Sequence, residues 1–222
     1  MASHVIISEH RLTGEGLTLL PVFPPATERL HMRPLFSRAM RHRMVALSLL
    51  PPPTAIEPAR PFGFGALVIE PRPWNDARFD LYARGYGAGY DPDRMLDELR
   101  SLFDPDTCAL IYAPAPANMR LRGLKAMQYP ARYRDVVPRS GLRRNFFVPA
   151  PRSVLLHAGG VIGVTLKGHD PSPLHRLREI SAEAQAAWAL WMFQGAWPSV
   201  RRDLFASHAA WQQLRKFHTN KG

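Results

Sequence analysis

The sequence predicts an α/β domain. Three observations carry that expectation: short apolar runs of strand length bounded by Pro, Gly or Asn, longer stretches with apolar residues at helical spacing, and the succession of the two kinds along the chain. A length of 222 residues suits one domain of ordinary size with appendages. A hydrophobic content of 46% excludes a wholly disordered protein. No uninterrupted apolar run approaches the ~20 residues that span a bilayer. The start, MASHVIISEHR, lacks the basic residues and apolar stretch of a secretory signal. Cys108 is the single cysteine, which excludes an internal disulfide and a multi-cysteine zinc site. The expectation is a soluble cytoplasmic protein that does not bind a membrane.

Residues 1–42 show weak periodicity and read as an N-terminal extension. Arg43–Leu50 is an apolar run stopped by three prolines, as a buried strand would be. Phe62–Glu70 and Ala77–Tyr86 are aromatic and β-branched runs that read as the next two strands. Asp91-Pro92 supplies an N-cap and a first-turn proline. Met95, Leu96, Leu99, Leu102 and Phe103 follow at helical spacing, with Asp104-Pro105 as the stop. Thr107–Ala113 is a fourth strand candidate, and Asn118–Gln128 a helix candidate.

The clearest helix starts at a Ser172 cap with Pro173 in the first position. Leu174, Leu177, Ile180, Ala184, Ala187, Trp188 and Trp191 line one face until Gly195. A C-terminal helix and basic tail then occupy 199–222, with Val200, Leu204, His208, Trp211 and Leu214 on one side. The body of the fold is therefore expected at 43–198. The tryptophans of these last helices fit a core or a face for a protein partner.

The net charge is +11, with 25 of the 29 basic residues arginine. A basic surface concentrates polyanions, and no amphipathic basic helix points to a membrane instead. Residues 120–152 alone carry +8. There Arg120, Arg122, Lys125, Arg132, Arg134, Arg139, Arg143 and Arg144 interleave with Tyr133, Phe146 and Phe147. Cations that track phosphates and rings that stack on bases form a single-strand groove. The same residues also fit a solvated basic loop pinned to the core by the two phenylalanines. The expected partner is nucleic acid, DNA or RNA.

No Gly-x-x-x-x-Gly-Lys-Ser/Thr loop and no Gly-x-Ser-x-Gly elbow is present. The order of elements is more informative: three strands, a helix, a strand, a helix, a variable stretch, then an alanine-rich helix beginning HRLREISAEAQAAW. Over roughly residues 43–194 this outline resembles the four-carboxylate (DEDD-type, polymerase III epsilon-like) 3′–5′ exonuclease superfamily. The resemblance implies an RNase H-like three-layer domain, with a mixed five-stranded sheet flanked by helices, an N-terminal extension and an extra C-terminal helix. In that family the first strand carries an Asp-x-Glu pair, where this chain has Ser48 and Leu50. The turn after the fourth strand carries His-Asn-x-x-Phe-Asp, and here LIYAPAPANMRL puts Asn118 in the motif. The last helix carries His and, four or five residues later, Asp. This chain keeps His175 but has Ile180 or Ser181 at the second place.

The family's chemistry needs two divalent ions clamped by carboxylates. Ser48, Leu50, Asn118 and Ser181 supply no such charge, so the resemblance implies a nucleic-acid-binding protein with no metal and no nuclease activity. Glu179 and Glu183 lie close to the missing Asp, and with His175 they are the candidates for displaced ligands. One alternative is thus an active nuclease using Mg²⁺ or Mn²⁺. Another is a scaffold for a DNA- or RNA-processing partner.

Overall fold

A computed structural model describes residues 41–50, 63–85, 91–114, 146–150, 152–166 and 173–219. The chain is α/β, with one mixed sheet and helices on both of its faces. The strands are β1 (Met44–Leu50), β2 (Gly63–Arg72), β3 (Asp76–Gly85), β4 (Cys108–Pro114) and β5 (Phe146–Ala150). The helices are α1 (Pro92–Arg100), α2 (Arg152–Val161), α3 (Pro173–Gly195) and α4 (Pro198–Thr219). Strand order across the sheet is β3-β2-β1-β4-β5. The first three strands form an antiparallel meander, and β4 and β5 run parallel to β1.

Strand alternation divides the core into two layers. Met44 and Ala46 of β1 point to the same side as Leu67, Phe79, Leu110 and Val148, against α2, α3 and α4. Val45, Leu47 and Leu49 point the other way, with Phe64, Val68 and Ile111, against Met95, Leu96 and Leu99 of α1. Trp188 and Trp191 are fully buried in the first layer. They are core residues, whereas Trp197 of the same set is half exposed.

Local chemistry sets the element ends. Asp91 Oδ1 accepts hydrogen bonds from the backbone N–H groups of Asp93 (3.0 Å) and Arg94 (3.3 Å), capping α1 as the Asp-Pro pair predicts. The helix ends at Arg100, short of the expected stop at Asp104-Pro105. Ser101 donates its hydroxyl to Glu98 O at 2.7 Å, and tighter bonds then lead the backbone away. Leu102 is still buried, so apolar spacing continued past the helix. On α4, Leu204 and His208 are buried, whereas Leu214 is exposed and does not join the apolar side expected of it.

Helix α3 crosses β2 at Gly65, which pairs with Ser48 of β1. A Cβ at Gly65 would lie 2.4 Å from Ile180 O and 2.6 Å from Ser181 N. The helix backbone rests there because glycine has no side chain. Gly65→Ala is expected to lower stability by about 2 kcal/mol through overpacking, read by chemical denaturation. Wild-type stability in that variant would show that the close approach is not needed.

Candidate functional site

Strands β1, β4 and β5 are parallel, so their carboxyl ends open at the same edge of the sheet, where open α/β sheets place ligands. Ser48 sits near the end of β1 and is 2% exposed. Arg152 begins α2, two residues after β5 ends. The seating of α3 on Gly65 brings Glu179 and Glu183 to the same edge. These two are four residues apart and share a helix face.

The four side chains form one network. The Ser48 hydroxyl donates to Glu183 Oε2 at 2.7 Å. The Arg152 guanidinium donates to Glu183 Oε1 at 2.8 Å and, through its other terminal nitrogen, to Glu179 Oε1. The carboxylates are largely buried, with side-chain exposures of 11% for Glu179 and 13% for Glu183. Two carboxylates at i and i+4 repel each other. Arg152 offsets that repulsion as a planar, permanently charged fork suited to carboxylates.

The other sequence-derived positions do not join this network. Leu50 is partly buried at the end of β1 and adds no charge. Ser181 is buried and donates its hydroxyl to Leu177 O of its own helix at 2.9 Å. His175 lies in the first turn of α3, and its side chain is outside the described residues. Asn118 and the basic set Arg120, Arg122, Lys125, Arg132, Arg134, Arg139, Arg143 and Arg144 also lie outside them. Sequence reasoning treats Arg152 only as the end of that basic stretch. Its place directly after a Pro, ahead of a helical run, is the available signal for a helix-start residue.

Among the described residues, the side chains gathered here leave few anionic oxygens free for a pair of divalent ions. Hard cations need several anionic oxygens converging on a common point. Here the β1 positions are a hydroxyl and an isobutyl group. Three of the four carboxylate oxygens of Glu179 and Glu183 already accept hydrogen bonds from Arg152 or Ser48. Among the described residues no group of three His, Cys, Asp or Glu side chains could hold a metal ion. Among the described residues the network comprises one guanidinium and two carboxylates. Among the described residues no helix is long and apolar enough to cross a membrane. Comparison with protein-family models, curated proteins and solved structures finds no match for this chain.

Proposed function

We propose that this chain is a catalytically silent relative of the four-carboxylate 3′–5′ exonucleases, an RNase H-like domain that binds nucleic acid without cutting it. The observation that carries the reading is the Arg152 guanidinium held by Glu179 and Glu183 beside Ser48, at the edge where the family would hold its metal ions. The strand order, an antiparallel meander followed by two parallel strands, supports the RNase H-like layout. The +8 charge of residues 120–152 supports a polyanionic partner. A resident guanidinium can neutralise carboxylates but cannot lower the pKa of a bound water or bridge an attacking and a leaving oxygen.

Binding of a fluorescein-labelled single strand, followed by anisotropy at low and moderate salt, tests this reading. Affinity is expected to fall steeply as salt rises. In the double variant Arg143→Ala/Arg144→Ala, the slope of log K against log salt should flatten by about one unit for each phosphate that is no longer neutralised. No binding at low salt would overturn the proposal. Binding with an unchanged slope would remove these two arginines from the groove.

A further inference from the structure

The hairpin joining β2 to β3 turns through Pro73, Trp74 and Asn75, with Asp76 N donating to Pro73 O at 3.4 Å. Both central residues have positive φ, 67° at Trp74 and 57° at Asn75, the φ signature of a type I′ hairpin turn. Asn is at home there. Trp is not, because its Cβ crowds the following carbonyl and the usual occupants are Gly, Asn and Asp. Nor does the indole gain burial in return. Trp74 is 95% exposed and has no ring partner among the described residues.

A strained, bare aromatic ring is best explained by a contact outside the fold. The ring is held on a braced tip: Asp76 Oδ1 accepts from Ala77 N at 2.8 Å, and Asn75 Nδ2 reaches Asp203 Oδ2 of α4 at 3.4 Å. Three exposed arginines lie on the same hairpin or beside the α4 residue that Asn75 reaches: Arg72, Arg78 and Arg202. Each sits beside an aspartate, at 3.9 Å from Asp76, 3.2 Å from Asp80 and 3.0 Å from Asp203 respectively. Exposed pairs of this kind are weak, so the guanidinium groups can turn to phosphates. A ring with open faces near cations held only in exposed pairs matches the stacking platforms that hold unpaired bases.

We infer that Trp74 is a base-stacking contact for single-stranded nucleic acid, on a second surface at the end of the sheet away from Ser48. Gly65, the partner of Ser48, lies seven residues before Arg72 on β2. At about 3.3 Å per residue the two places are roughly 23 Å apart. This inference rests on the nucleic-acid reading above and adds a residue and a strandedness to it.

The test compares wild type, Trp74→Gly and Trp74→Phe on a fluorescein-labelled thymine homopolymer and on a blunt duplex. Trp74→Gly should bind the single strand about tenfold more weakly with an unchanged salt slope, since the substitution removes a stacking ring and no cation. Its melting temperature should not fall, because glycine suits the positive φ. Trp74→Phe should restore most of the affinity, and duplex binding should be alike in all three. Trp74→Gly binding the single strand as tightly as wild type would overturn the inference. Absence of binding by wild type itself would overturn the nucleic-acid reading instead.

Discussion

Arg152→Met is expected to destabilise the protein by about 3 kcal/mol, the range for breaking a largely buried ion pair on one side. The change leaves Glu179 and Glu183 on one helix face, mostly out of water and, among the described residues, without a counter-charge. For a chain of 222 residues that loss corresponds to a fall in Tm of roughly 10 °C. Most of it should return in the triple variant Arg152→Met/Glu179→Gln/Glu183→Gln, because uncharged amides remove the repulsion. Differential scanning calorimetry of wild type, the single variant, the Glu179→Gln/Glu183→Gln pair and the triple variant checks the expectation. Equal losses in the single and triple variants would mean that Arg152 acts by packing its stem and not by neutralising charge.

The second large effect is pH-dependent and belongs to α4. His208 is 0% exposed, with ring centroids 5.1 Å from Phe79, 5.2 Å from Trp188 and 5.2 Å from Trp211. Among the described residues neither ring nitrogen has a hydrogen-bond partner. Burial, and secondarily the nearby Arg215 charge, lower its pKa from 6.5 to about 4. Above pH 6.5 the imidazole is neutral in both folded and unfolded chains and stability does not depend on it. Between pH 6.5 and about 4 the unfolded chain takes up a proton that the folded one refuses. Stability therefore falls with falling pH, at up to about 1.4 kcal/mol per unit and by about 3 kcal/mol across the window. His208→Leu should remove this component and be no less stable at pH 7, since it deletes two buried, unpaired nitrogens. Parallel stability–pH curves for wild type and variant would contradict the assignment.

Much of the architecture was legible because strand and helix periods are written in single residues. β1 is apolar on both faces apart from Ser48, as befits a strand covered on both sides. The start of α1 follows from Asp91-Pro92, and the helical spacing of Ile180, Ala184, Ala187 and Trp191 marks α3 as a helix, although residues 180–192 are buried nearly all round and not along one face. β5 could not be placed in advance: it is five residues long, contains Pro149 and directly follows a run of arginines. The hairpin tip was hidden for another reason, since Trp74-Asn75 lacks the glycine that marks a type I′ turn.

The candidate site was half legible. Ser48 and the two glutamates stand out when residue types are compared with a chemistry they cannot perform. Their meeting point does not, because it depends on α3 resting on Gly65 and on Arg152 arriving 31 positions before Glu183. Long-range register of that kind leaves no local periodicity to read. His208 shows the same limit: its helical spacing places it on the apolar side of α4, but only tertiary packing makes it an unpaired, buried base.

The most direct test of the central claim, that a guanidinium has replaced the metal chemistry, is a single-turnover digestion of a 5′-labelled single strand with excess protein. It is run with Mg²⁺, with Mn²⁺ and with chelator, and binding is followed in the same samples. The proposed function predicts a bound and full-length probe under all three conditions. Shortening of the probe from its 3′ end that depends on Mg²⁺ or Mn²⁺, and is abolished in Glu183→Ala, would contradict it.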